Sequence, residues 1–336
     1  MSKYRDLIPQ NRAPKGVKRI GIYDADGKRV GTVPLGPLAF PDVGEKLYSF
    51  GALSDVHISY DTAIGDFQRA LADLTDVAFI CICGDLTGDG SDAQLAQYKA
   101  IADGASVPVY AIAGNHEGIT AGVQSRIANY TRHPLYYSFE HGGDVFIMVG
   151  VIGGDSVSDC VVFADGELQW LQETLEANRH KRCFVFQHIF AGVTYATDSG
   201  YATEAVCGNA GGLYTNWCWH DTAECQTFEA LMKQYPNVIW FHGHSHLRYG
   251  LQKYGQLYAN YSEAEGYKEV HIPSLAVPRR EDTDGDGKLD NIYAGSEGCV
   301  VDVYERGIHI RGRDFVTGTF LPVASYWVET KMIDTK

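Results

Sequence analysis

Five short apolar runs that each break off into Asp, Asn or His constrain this chain more than any other feature. Leu47–Leu53 runs into Asp55 and His57, Val77–Cys83 into Gly84 and Asp85, and Val107–Ala113 into Gly114, Asn115, His116 and Glu117. Further on, Cys183–Phe186 runs into Gln187 and His188, and Val238–Phe241 into His242, Gly243, His244, Ser245 and His246. Segments of helical spacing lie between them. Asp61 is placed to cap a helix bearing Ile64, Phe67, Leu71 and Leu74, and Ser91 with Gln94 matches a capping box that opens a helix to about Ala102. Leu168, Leu171 and Leu175 mark another helix after the strand Asp144–Val149. Asp221 with Glu224 opens one that carries Phe228, Leu231, Met232 and Tyr235. Strand and helix alternating in this way predict an α/β fold with much parallel sheet. From Gln256 onward the pattern is of short strands and turns with no further helix.

Ligands of α/β sheets bind at the carboxyl ends of the strands, where these polar residues fall. Asp55 and His57 are two residues apart, a spacing that turns both side chains to one side of a strand. Carboxylates and imidazoles gathered at successive strand ends are the donor set of a metal site.

Bulk properties narrow the alternatives. The chain has 336 residues, 45% of them apolar and 21% charged, as expected of a soluble globular protein. Its formal charge is −14 with no Lys/Arg cluster, which argues against nucleic acid and anionic membranes as partners. No apolar run approaches the roughly 20 residues of a membrane span, and Met1–Asp6 lacks the apolar core of a signal peptide. A cytoplasmic location is therefore expected. Eight cysteines are too sparse for a disulfide framework. Cys81 and Cys83 read as small core residues, whereas Cys207, Cys218 and Cys225 lie nearer a loop and match no zinc spacing. Residues 1–15 carry little pattern, and Ile20–Val30 reads as a hairpin turning at Asp26 and Gly27. The chain divides into an arm and small N-terminal β element over 1–45 and one domain over 46–336.

The order Asp55-Val56-His57, Gly84-Asp85, Gly114-Asn115-His116-Glu117, His188 and Gly243-His244-Ser245-His246 resembles the calcineurin-like metallophosphoesterase family. Tyr136–Phe139 before a strand and Leu168–Leu171 in a helix add weaker likenesses, and the similarity covers roughly residues 47–260. The resemblance implies a four-layer α/β/β/α sandwich and a two-metal site. Asp55, His57 and His246 would bind one metal; Asn115, His188 and His244 the other; Asp85 would bridge them. Mixed oxygen and imidazole ligands suit manganese, iron or zinc. Such a pair of cations outweighs the charge of Asp55 and Asp85, attracts a small phosphorylated substrate and brings the pKa of water toward about 7, yielding a hydroxide nucleophile. His116 would face the scissile phosphate and assist the leaving oxygen, with Glu117 orienting and charging it; most relatives have Asp at that position. The implied activity is metallophosphoesterase hydrolysis of a phosphodiester or phosphomonoester, leaning to the phosphodiesterase branch. A non-catalytic binding or assembly module on the same fold is the alternative, and a nuclease of the family is disfavoured by the acidic charge.

Two stretches lie outside this pattern. Residues 191–220 form a Gly-, Thr- and aromatic-rich insertion with Tyr195, Tyr201, Tyr214, Trp217, Trp219 and His220, suited to substrate selection or to packing on itself. Asp282, Asp284, Asp286 and Asp290 follow a calcium-loop spacing with Gly287 at its sixth position, but Tyr293 stands where the bidentate Glu would be.

Overall fold

The computed structural model describes residues 19–23, 29–34, 42–118, 122–152, 163–189, 193–197, 200–204, 223–249, 252–253, 256–257, 261–263, 266–280 and 290–330. Two six-stranded sheets form its centre. The strands of the first sheet are β1 (Lys46–Leu53), β2 (Ile80–Ile82) and β3 (Val109–Ala111), joined by the C-terminal strands β10 (Glu297–Tyr304), β11 (Gly307–Asp314) and β12 (Thr319–Glu329). Their order is β12-β11-β10-β1-β2-β3, with β1, β2 and β3 parallel and the rest antiparallel. The second sheet contains β4 (Tyr136–His141), β5 (Asp144–Val149), β6 (Cys183–Gln187), β7 (Val238–His242), β8 (Tyr261–Ser262) and β9 (Lys268–His271). Its order is β8-β9-β7-β6-β5-β4, parallel through the middle with antiparallel β8 and β4 at the edges.

The runs are apolar on both alternations because the central strands β2, β5, β6 and β7 are buried on both faces. Phe50, Ala52, Cys81, Phe146, Met148, Phe184, Phe186, Ile239 and Phe241 fill the layer between the sheets. The alternate residues Ile80 and Ile82 face helices α1 (Ala63–Asp73), α2 (Asp92–Ala102) and α4 (Val123–Thr131), which follows the short helix α3 (Asn115–Gly118). Val145, Ile147, Val185 and Trp240 face α5 (Glu167–Ala177) and α6 (Ala223–Gln234). Three apolar layers separate four structural ones, and the architecture is the expected α/β/β/α sandwich.

Several local expectations change. Helix α1 starts after Thr62, whose side chain makes no cap bond, so Asp61 is not its cap. Ser91 does cap α2, accepting from Gln94 N, but the Gln94 amide oxygen accepts from Gly88 N at 2.8 Å and Asp89 N at 3.2 Å. The capping glutamine thereby anchors the loop that follows Asp85. Tyr136–Phe139 precede the strand β5 as expected and themselves form part of a strand, β4, that pairs with it. Cys225 is buried in α6, and the described cysteines Cys81, Cys83, Cys183, Cys225 and Cys299 are all free and buried. The C-terminal strands are long, at 8, 8 and 11 residues, and supply half of the first sheet. Arg19–Tyr23 and Arg29–Pro34 pair antiparallel as a ribbon of their own, and their turn lies outside the described residues. Within the insertion, Val193–Thr197 pairs with Gly200–Glu204; Tyr214, Trp217, Trp219, His220 and the Asp221 cap lie outside the described residues. No described helix is long and apolar enough to cross a membrane.

At the amino ends of β5 and β6 a buried charge pair ties the sheets together. The Arg182 guanidinium meets Asp144 Oδ2 at 2.7 Å and donates to Tyr304 O at 2.9 Å and Gly307 O at 3.2 Å, across to the β10–β11 turn. Tyr48 Oη donates to the same Asp144 oxygen at 2.6 Å. Removing one member leaves the other charge buried and unpaired, so Asp144→Ala should lower unfolding free energy by about 3–5 kcal/mol in urea titrations. A second buried carboxyl acts in the opposite sense. Burial pushes Glu167 up to about 8, its bond from Ala164 N opposing only in part. The folded state therefore holds a proton there that the unfolded chain loses near pH 4.5, and this contribution to stability falls as pH rises from that value through about 8. Glu167→Gln should keep the Ala164 bond and remove the penalty. The stability gap between variant and parent, read from thermal melts, should widen from pH 5 to pH 9.

Candidate metal centre

The parallel ladder between β1 and β2 continues past both strands and delivers the first candidate ligands. Cys83 N donates to Leu53 O at 2.8 Å, Asp55 N to Gly84 O at 3.1 Å, His57 N to Asp85 O at 2.9 Å and Ile58 N to Leu86 O at 3.1 Å. Along this stretch Asp55, His57 and Asp85 have φ of 54°, 46° and 50°, and His244 and His246 repeat the conformation at 66° and 60°. Strand alternation is thus not what brings Asp55 and His57 together; left-handed backbone does. Among the described residues only Arg132 is a further non-glycine with positive φ. Each such residue costs roughly 1–2 kcal/mol, and strain gathered at one place marks a functional constraint.

Close approach explains the glycines of the motifs. A Cβ on Gly114 would lie 2.1 Å from Asp85 Oδ1, and one on Gly243 would lie 1.9 Å from Ser54 Oγ and 2.5 Å from Asp55 Oδ2. His116 N donates to Asp85 Oδ1 at 3.0 Å and His244 N to Asp55 Oδ2 at 3.1 Å, so each carboxylate is held by the backbone of another motif.

Ligand-capable atoms of Asp55, His57, Asp85 and His246 lie within 4.8 Å of one another, and those of Asp85, His188 and His244 form a second such group. Asp85 belongs to both. His57 Nε2 and His246 Nε2 are 3.0 Å apart, Asp55 Oδ1 is 3.0 Å from His246 Nε2, and Asp85 Oδ2 is 3.1 Å from His188 Nε2. Asn115 is buried at the start of α3, between Gly114 and His116. The seven residues therefore come from five loops at the same ends of the two sheets.

The donor set fits cations. His188 Nδ1 lies 2.6 Å from Cys83 O and His246 Nδ1 3.1 Å from Val277 O. A carbonyl only accepts, so each Nδ1 carries the proton and each Nε2 can offer a lone pair toward the cluster. Asp55 Oδ1 and His188 Nε2 are buried and make no hydrogen bond of proper geometry within the protein. Burial works to raise both aspartates, but His246 and His188 hold Asp55 well below the usual carboxylate range, and His188 and His116 lower Asp85. His188, although burial pulls it down, is raised to about 9 by Asp85 and Asp55. Two buried, ionised carboxylates create a demand for positive charge, and a bound cation would take the place of that imidazole proton.

His116 stands apart, with a side chain 37% exposed and its Nε2 3.9 Å from Asp85 Oδ2. Burial lowers its pKa, but Asp85 and then the Gly88 carbonyl, 2.6 Å from Nδ1, raise it on balance. The hydrogen bonds of Glu117 go to Thr87 and Gly114. Its carboxylate accepts from Thr87 N at 2.8 Å, Thr87 Oγ1 at 2.6 Å and Gly114 N at 3.0 Å. It braces the loop whose Gly88 carbonyl orients His116 and contributes charge from a distance. Thr87 is one residue the motif reading missed. Another missed stretch is the end of β9 and the residues after it: Ser274 Oγ donates to Asp55 O at 3.0 Å, Leu275 N to Ser54 O at 2.9 Å, and Ser245 Oγ meets His271 Nε2 at 2.8 Å. Ser274 and Leu275 hold the backbone of Ser54 and Asp55 and His271 holds the Ser245 side chain, and none of the three carries a spacing signal. Of the acidic run, Asp290 pairs with Arg280 at 3.4 Å, while Asp282, Asp284 and Asp286 lie outside the described residues.

Comparison with known proteins agrees with this geometry. Residues 48–248, more than half of the chain, match the calcineurin-like phosphoesterase family model. No curated protein sequence matches. Purple acid phosphatase PPD1 from yellow lupin (Lupinus luteus) is similar in structure, with a TM-score of 0.56 at 14% identity, over 93% of this chain and 59% of its own. The chain thus spans less than two thirds of that phosphatase. GAP50 of Plasmodium, described as the anchor in the inner membrane complex, is similar with a TM-score of 0.54 at 12% identity, over 87% of this chain and 91% of its own. At such identities the two structures share the fold with this chain. The family match and the Asp/His cluster at its strand ends together place the chain in the calcineurin-like phosphoesterase family.

Proposed function

We propose that this chain hydrolyses phosphoesters with two divalent cations, manganese, iron or zinc, held at the Asp/His cluster. The observation that carries the reading is Asp85, whose carboxylate belongs to both ligand groups and can offer one oxygen to each cation. Asp55, His57 and His246 would hold the first cation, and Asn115, His188 and His244 the second. Bound there, the cations supply Lewis acidity toward a phosphoryl group and an acidified water. The protein's own part is positioning. The Cys83 and Val277 carbonyls fix the imidazole tautomers of His188 and His246, and backbone amides hold Asp55 and Asp85. His116, partly exposed beside the cluster with Nδ1 tied to Gly88, can present Nε2–H to a departing ester oxygen. Glu117 and Thr87 keep that loop in place.

Mutation and metal analysis test the assignment. Asp85→Asn should bring bound metal below two ions per chain by elemental analysis. It should also lower manganese-dependent turnover of bis-p-nitrophenyl and p-nitrophenyl phosphate by more than roughly 100-fold, the upper range for loss of an outer-shell partner. Parent protein with fewer than two metal sites would contradict the dinuclear assignment. His116→Ala should cost roughly 10²–10⁴-fold on alkyl esters and far less on p-nitrophenyl esters, whose leaving group needs no proton; equal losses on both would remove the proton-donor role.

A second reading has one observation in its favour, the likeness to GAP50, which is described as an anchor. On that reading the fold serves assembly and the cluster is a relic. Absence of metal-dependent, Asp85-sensitive turnover of either ester would select it.

A further inference from the structure

A line of rings leads outward from the cluster. His116 and His57 have ring centroids 4.7 Å apart at 89°, His57 and Tyr60 5.5 Å apart at 62°, and Tyr60 and Tyr293 6.5 Å apart at 68°. Tyr60 is partly buried, whereas Tyr293 is 57% exposed, the most exposed of the large apolar side chains among the described residues. An exposed tyrosine is ordinary by itself. This one is held in register with a candidate ligand. It follows a ribbon in which Arg279–Arg280 pairs with Asp290–Asn291. Arg279 N donates to His246 O at 2.6 Å, Arg248 N to Arg279 O at 2.9 Å and Ile292 N to Pro278 O at 2.8 Å, so the ribbon is sewn to the His246 loop. Asn291 Nδ2 donates to Tyr293 Oη at 3.2 Å and steadies the ring.

Two rings meeting edge to face form a corner, and Tyr293, more than half exposed, has ring surface available to a third planar group, since aromatic faces bind π-systems by stacking or T-shaped contact. The Arg279 guanidinium acts electrostatically on both Tyr60 and His246, so its positive charge is felt at the corner and at the cluster. We propose that Tyr60 and Tyr293 form a subsite for a planar ring carried by the phosphoester, with Arg279 favouring the anionic group that joins ring to cluster. The substrate class this selects is the nucleoside or aryl phosphoester over the plain alkyl one. The proposal rests on the hydrolase reading for its reacting centre and on the corner alone for its specificity.

The test uses two diesters with one leaving group, thymidine 5′-(p-nitrophenyl phosphate) and methyl p-nitrophenyl phosphate, on the metal-loaded full chain. Base stacking on an aromatic face is worth roughly 5- to 150-fold, and the ratio of the two kcat/KM values should lie in that range, expressed mainly in KM. Tyr293→Ala should bring the ratio toward one, and Tyr293→Phe should retain it. Calorimetric titration with thymidine 5′-monophosphate and with 2-deoxyribose 5-phosphate reads the same corner without turnover; the base should add affinity in the parent and not in Tyr293→Ala. A ratio near one in the parent, or one unchanged by Tyr293→Ala, would overturn the subsite. Where neither ester is turned over, the titration decides. A base-dependent affinity that Tyr293→Ala abolishes keeps the subsite and sinks the hydrolase reading, and its absence overturns the subsite.

Discussion

The burial of two carboxylates, Asp55 and Asp85, is the constraint that the surrounding structure is built to satisfy. Both are essentially inaccessible to water, and an ionised carboxylate in such a place is tolerated only with hydrogen bonds and opposite charge around it. The backbone supplies the hydrogen bonds, through His244 N and His116 N. Imidazoles of His57, His188 and His246 surround the rest. The remaining demand for positive charge is what makes a cation the natural occupant.

Fulfilling that demand distorts the chain locally. Five candidate ligands sit in left-handed backbone, and Gly114 and Gly243 leave no room for a side chain against the two aspartates. Such strain persists only where the scaffold over-determines it. Here the scaffold is a pair of sheets sharing an aromatic interior in which Phe50 touches Phe79, Phe146, Phe184 and Phe241. At the amino ends of β5 and β6 the Arg182–Asp144 pair locks one sheet to the other. With the sheets fixed there, loops from both can meet at the opposite ends with little freedom.

Much of this was legible in the sequence, for identifiable reasons. Strands buried on both faces read as unbroken apolar runs, so β1, β5, β6 and β7 stand out, and the cores of α1, α5 and α6 follow from Phe67, Leu171 and Phe228. The C-terminal strands β10, β11 and β12 were harder. With no helices between them and a turn of only Glu305 and Arg306 at the first bend, they give no α/β alternation to read. The Gln94 side chain was legible as a cap and not as a loop anchor, because its partner Gly88 is chosen by packing.

What the sequence by itself determined is the identity and order of the polar residues at the strand ends, since chemistry and chain order are local properties. It also determined which runs are buried, through their periodicity. Tertiary structure alone decided the rest: that Asp85 is shared by two groups, that Asp55 and His57 converge through positive φ rather than strand alternation, and that Gly88 instead of Glu117 is the partner of His116. It also carried Tyr293 to within reach of Tyr60, which lies 233 positions earlier in the chain. These facts depend on distances between segments far apart in the chain, and such distances are set by how the two sheets pack.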